Sequence, residues 1–319
     1  TESLNQLICG EQSGIDMPSA WSRGIYTSQM QVELVNTKDR PDLTDAKLKQ
    51  RAELMAKAQN YGGFAQGSCP EQQLKWLAFA PATVAVKVAG KKISLPMKAL
   101  SASCQKVEVM AAGREHFHVE TLTANKAGEV AMPEGSGTVS VTCSPKQPRW
   151  MGRQTWYMVP YGDLAQKAPI PEDSLLKRFG KQPDLALHLW IEAIRKQAGI
   201  KPQLIQTQML SDAAGKLAVG GGISHDLGSL KFVKEKLKEV GVDFLGENRV
   251  SAGDIQLAAW LLWYSPRHRQ LLLHPKADAI GLSVHETTQN QTRRFFAVIT
   301  MGDSSQLDVA GKPGNTRLR

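Results

Sequence analysis

The hydrophobic period of this 319-residue chain changes twice, which rules out any single uniform architecture. Leu48, Ala52, Met55 and Ala58 recur at the spacing of one helix face. From about Ala80 the period becomes two: Val84, Val86 and Val88 alternate, followed by Ile93 and Leu95, Val107 and Val109, Phe117 and Val119, and Val139 and Val141. Helical spacing returns after Asp184 in Leu187, Trp190, Ile191, Ile194 and Ala198. A chain of this length with those switches is a multidomain α+β protein in which each part carries its own core.

The boundaries follow from the same pattern. Residues 1–78 read as a mainly helical N-terminal region, with Thr44 capping one helix that ends at Tyr61-Gly62-Gly63 and a second helix over Glu71 to Phe79. The segment Trp21 to Val35 fits an extended arm or strands. Residues 79–145 read as a small β-sandwich. Residues 146–182, bracketed or punctuated by Pro145, Pro148, Pro160, Pro169 and Pro171, read as an extended connector that docks Trp150, Trp156 and Tyr157 on one domain. A C-terminal domain spans 183–303, with helices from Asp184 and over Met209 to Val219. Its strands are Ile280 to Val284 and Phe295 to Thr300, and a flexible tail over 304–319 follows.

All four cysteines, Cys9, Cys69, Cys104 and Cys143, lie in the first half, and none has Cys-x-x-Cys spacing. An even count without metal spacing points to two disulfides in an oxidising compartment. Of three connectivities the expected one is Cys9 with Cys69 and Cys104 with Cys143; four buried thiols are the alternative. No stretch approaches the length of a membrane-spanning helix. Thr1-Glu2-Ser3 lacks the basic-then-apolar build of a signal peptide, as expected of a chain from which one has been removed. The net charge of +9 is spread, with 17 basic against 14 acidic residues in 1–150 and 22 against 16 in 151–319. That distribution speaks against a nucleic-acid face and leaves an anionic envelope as an electrostatic partner.

One stretch gathers ligand-type side chains: Ser224-His225, Gly246-Glu247-Asn248, and Ser265-Pro266-Arg267-His268-Arg269. Between the first two, Leu230, Val233, Leu237 and Val240 form a helical stripe that Gly241 ends. After Asn248, Ser251 and Asp254 form a capping-box start to a helix that Pro266 stops. The expected geometry has His225 and Glu247 at helix ends and His268 following another helix. A buried carboxylate that caps amides, with two histidines bonded inside a core, is the alternative.

At these motifs, and at Ile280-Gly281-Leu282-Ser283-Val284, the sequence over about 183–301 resembles the CAP superfamily of cysteine-rich secretory, antigen 5 and pathogenesis-related 1 proteins, in its bacterial SCP-like secreted branch. The resemblance implies an α/β/α sandwich, a secreted, periplasmic or cell-surface location, and a cleft lined by His225, Glu247, Asn248 and His268. It further implies a divalent metal such as zinc on His225, Glu247 and His268. The second glutamate of the family's tetrad has no counterpart, since Trp260 is followed by Leu261, Leu262 and Trp263. Leu122 to Val130 with Gly135 to Cys143 resembles a transthyretin-like or Ig-like sandwich. Two functions follow: a binding module for a small apolar or envelope-derived ligand, or a hydrolase, metal-dependent or using Ser224 with His225. Outside that stretch, His116 and His118 share a strand face and offer two imidazoles to a metal, against the simpler reading of a solvated edge strand.

Overall fold

The computed structural model describes residues 9, 31–42, 44–58, 61–81, 87–145, 154–164, 168–201, 203–219, 234–235, 237–239, 241–289 and 292–304. Apart from a short stretch around residue 150, the chain divides into two compact units, one running to Ala168 and one from Pro169 onward.

The first unit opens with an antiparallel sheet of β1 (Gln31–Asn36), β2 (Tyr61–Cys69) and β3 (Leu74–Pro81), in the order β1-β3-β2. Helix α1 (Asp45–Ala58) lays Leu48 and Ala52 against Leu77, Val35 and Phe64. Thr44 caps it as expected, its hydroxyl accepting from the Lys47 N–H at 3.4 Å and its carbonyl from Leu48 at 2.9 Å. The expectation of a mainly helical region fails at Glu71 to Phe79, which is a single 3₁₀ turn at Pro70–Gln72 followed by β3. The reason is that β3 is the middle strand and both its faces are covered. Leu77 packs under α1, while Trp76 and Ala78 pack against Cys69 on the other side, so the alternation is masked by apolar residues in both phases. Cys9 is bonded to Cys69, one of the two expected disulfides. Trp21 to Met30 lies outside the described residues, and Gln31 onward is strand.

The period-two region forms two sheets around one core. The larger has the order β10-β9-β6-β7, from β6 (Cys104–Gly113), β7 (Val119–Leu122), β9 (Gly137–Pro145) and β10 (Gln154–Tyr161). The smaller has the order β4-β5-β8, from β4 (Lys87–Ala89), β5 (Lys92–Ser94) and β8 (Glu129–Ala131). Helix α2 (Met97–Ser103) leads into β6. Ile93 and Val130 of the small sheet share a core with Val109, Ala111, Val139 and Val141 of the large one, and the Cys104–Cys143 disulfide lies inside it. Val84 and Val86 fall outside the described residues.

The connector expected over 146–182 is replaced in its described part by packed structure. Gln154–Tyr161 is strand β10, paired with β9 from Gln154↔Cys143 to Tyr161↔Gly137, and Asp173–Phe179 is helix α3. Pro160 is tolerated because β10 is the outer strand of its sheet. Trp190 Nε1 donates to the Pro171 carbonyl at 2.8 Å and the Tyr264 hydroxyl to Pro169 at 3.0 Å, which fixes the prolines to the second unit.

That second unit is built on a four-stranded sheet ordered β11-β13-β14-β12, from β11 (Ile205–Gln206), β12 (Asp243–Ala252), β13 (Ala279–Gln289) and β14 (Thr292–Asp303). Helices α4 (Pro183–Gln197), α5 (Gln208–Val219), α6 (Ile255–Tyr264) and α7 (Pro266–Leu272) pack around it. The last two strands are longer than expected: Thr287, Thr288 and Gln289 pair with Arg294, Arg293 and Thr292. Helix α4 starts at Pro183 rather than being capped by Asp184, whose carboxylate reaches instead to the Val284 N–H at 3.0 Å.

Two close approaches fix this unit. Across the sheet, Gly281 of β13 pairs with Thr300 of β14, and Thr300 with Glu247 of β12. A Cβ on Gly281 would stand 2.0 Å from the Leu210 carbonyl carbon, so only glycine lets α5 settle on the sheet, where Thr300 donates its hydroxyl to the Leu210 carbonyl at 2.9 Å. At the other end of α4, Arg195 is 0% exposed and donates to four carbonyls: Lys201 at 3.1 Å, Leu272 at 2.9 Å, His274 at 3.1 Å and Ala277 at 2.7 Å. One planar guanidinium thus closes the loose carbonyls after α7 and ties them to α4. Burial lowers the Arg195 pKa, against the pull of Asp278 and Glu192.

Candidate functional site

Gly246-Glu247-Asn248 is not a turn between helices. It lies inside strand β12, just past an irregularity in register between Phe244 and Gly246. Gly246 packs closely on a neighbour: a Cβ there would meet the Leu271 side chain of α7 at 3.1 Å, so a larger residue would make that side chain give by a few tenths of an ångström. Ser251, expected in a capping box, is in the same strand, and Asp254 alone caps α6, accepting from the Leu257 N–H at 2.7 Å. Pro266 is the first residue of α7, so His268 lies within a helix rather than after one.

Successive strand residues face opposite ways, and that separates the motif's two polar side chains. Asn248, 2% exposed, donates its Nδ2 to the His268 main-chain carbonyl at 3.0 Å, on the α7 side of the sheet. Glu247 shares a row with Thr300 and Gly281 and therefore lies on the α5 side. There it meets Arg249 two residues along, in a two-pronged ion pair: Nε to Oε1 and Nη2 to Oε2, both 3.2 Å, with the two side chains 4% exposed. Such a fork neutralises the carboxylate that a cation would need. β12 is the outer strand of the sheet. Of the expected site residues, the structure therefore joins Asn248 to the main chain at His268 and gives Glu247 to Arg249. His225 and Ser224 lie outside the described residues. Among the described residues, no three His, Cys, Asp or Glu side chains are grouped as a metal site.

Comparison with known proteins adds the following. No protein-family model matches the chain, and no curated protein matches it. Solved structures of CAP- and SCP-domain proteins are among those it is similar to. The CAP domain of Enterococcal PrgA is 16% identical, with 46% of this chain and 76% of that one covered and a TM-score of 0.33. A cysteine-rich secretory protein from Staphylococcus aureus is 14% identical, with 57% of each chain covered and a TM-score of 0.29. An extracellular SCP-domain protein from Bacillus anthracis is 13% identical, over 65% of this chain and 92% of that one, with a TM-score of 0.29.

Sequence reasoning missed three groups. Arg249 was signalled by spacing alone, because Glu-x-Arg on a strand puts both charges on one face. Arg269 is fully buried, with its guanidinium 3.9 Å from the Trp263 ring and its Nε donating to the Trp263 carbonyl at 2.6 Å; nothing in sequence separates it from a surface arginine. Ser283 Oγ and His285 Nε2 are 2.8 Å apart on β13, beside Asp184, whose carboxyl burial pushes upward while the Val284 N–H and the His285 charge pull it down. Trp260 packs against Tyr264 with ring centroids 4.7 Å apart and the ring planes tilted by 43°. No helix among the described residues is long and apolar enough to cross a membrane.

Proposed function

We propose that the chain is a secreted bacterial protein with a C-terminal domain of CAP type over 183–303. Its cleft, built from the strand that carries Glu247 and Asn248, the helix of His268, and His225, binds a small apolar or envelope-derived ligand. The observation that carries this reading is the tie from Asn248 to the His268 carbonyl, which fixes the Gly-Glu-Asn strand to the Ser-Pro-x-His-Arg helix as a cleft floor requires. The two disulfides fit an oxidising location.

A divalent metal is the secondary ligand. Histidines 225 and 268 are its nitrogen donors, and Glu247, already satisfied by Arg249, contributes little charge. Zinc binding is accordingly modest, and it weakens in acid because protonated imidazole cannot ligate. The test is a fluorescence titration with a polyunsaturated fatty acid and a calorimetric titration with zinc, on the wild type, His225→Ala and His268→Ala. Both ligands bind the wild type and weaken in each variant; affinities equal in all three proteins defeat the reading.

A further inference from the structure

We propose a second, separate metal site in the first unit: a divalent transition ion held by His116 and His118, with Glu120 as its positioning residue. The two histidines do not belong to a strand, as the alternation of Phe117 and Val119 led us to expect. They lie in the turn over 114–118 that joins β6 to β7, and β7 begins at Val119. The turn is anchored: the Arg114 N–H donates to the Ser136 carbonyl at 2.7 Å, and His116 lies over Gly113, its Cδ2 3.3 Å from where a Cβ would stand. Both histidines are exposed, so an aqueous ion reaches them.

Two features point to a ligand. The ring centroids are 5.2 Å apart. An ion bound about 2.1 Å from an imidazole nitrogen sits about 3.2 Å from that ring's centroid, so two rings at a tetrahedral angle stand about 5.2 Å apart. The spacing found is compatible with a shared ion. His118 Nε2 lies 3.2 Å from Glu120 Oε1, and Glu120 is held on a paired strand opposite Ala111. A carboxylate accepting from one ring nitrogen fixes the other, Nδ1, as the lone-pair donor, which is how histidine ligands are oriented at metal sites. Glu120 is thus engaged through His118 rather than on the ion, in keeping with no group of three ligands at this place among the described residues. Imidazole donors select zinc, copper or nickel over calcium or magnesium, and water fills the remaining positions.

The experiment is calorimetric titration of zinc into the full chain carrying His225→Ala and His268→Ala, so that the cleft cannot contribute. One equivalent binds. Adding His118→Ala or His116→Ala abolishes the heat, and adding Glu120→Gln weakens binding about tenfold. With copper in place of zinc, the electron paramagnetic resonance spectrum of the Glu120→Gln protein keeps its two-nitrogen pattern, which a collapsed turn would lose. Absence of binding in the His225→Ala/His268→Ala parent, or heat that survives His118→Ala, overturns the site, and neither result bears on the cleft.

Discussion

The two units hold their cores by different means. The first is stapled covalently: Cys9–Cys69 closes a separation of 60 residues, with Cys69 buried and Cys9 partly so, and Cys104–Cys143 closes one of 39 inside an apolar core. The second contains no cysteine and instead, among the described residues, buries three arginines. Arg195 gathers carbonyls, Arg249 holds Glu247, and Arg269 lies under Trp263. A cross-link acts on the unfolded chain, by shortening its list of conformations. A buried guanidinium acts on the folded state, where its many donors satisfy groups that would otherwise stand unpaired. The comparison predicts that redox conditions touch one unit and substitution of a single arginine the other.

Reduction is the largest expected effect. Loop-closure entropy assigns about 4 kcal/mol to each disulfide, so adding dithiothreitol lowers the first unit's calorimetric transition by about 20 °C and leaves the second's in place. Equal shifts in both transitions would erase the distinction. Next comes Arg195→Leu, expected to cost roughly 3–5 kcal/mol in the second unit alone, because four carbonyls lose their donor. Arg195→Lys should recover only part of this, since an ammonium cannot reproduce the planar fork. Denaturant unfolding followed through the tryptophans of α4 and α6 reads both, and a loss below about 1 kcal/mol for the leucine variant would mean that water replaces the arginine. The smallest is Gly281→Ala, about 3 kcal/mol, from forcing α5 off the sheet at Leu210. An alanine variant as stable as the wild type would show that α5 can shift freely on β13.

What could be read from the sequence was whatever left a single period. Helices α1, α4 and α5, the β-sandwich strands and both disulfides follow from one apolar stripe, one alternation or an even cysteine count. Where two faces are covered, the signal cancels, and β3 looked like a helix because Trp76, Leu77 and Ala78 are all buried. The glycine and asparagine of Gly246-Glu247-Asn248 imitated a turn. Each is there for contact with α7, one making room for Leu271 and the other bonding the His268 carbonyl. Strand β10 was hidden among prolines that only an outer strand accepts. The ion pair of Glu247 with Arg249 required knowing that the segment was a strand at all.

The carboxylate of Asp184 has a consequence for self-association. Strand β11 is two residues long and pairs with β13 only at Ala279 and Ile280, so the outer edge of β13 continues beyond its strand partner. An open edge is a template on which another copy can polymerise. Here the Val284 N–H on that edge is already taken by Asp184, projecting from the first turn of α4. A strand arriving from another molecule would have to displace this charged side chain and leave it without its donor. One side chain thereby does what an additional strand would do, keeping the edge from becoming an aggregation seam where, among the described residues, no strand covers the neighbouring Ser283 and His285.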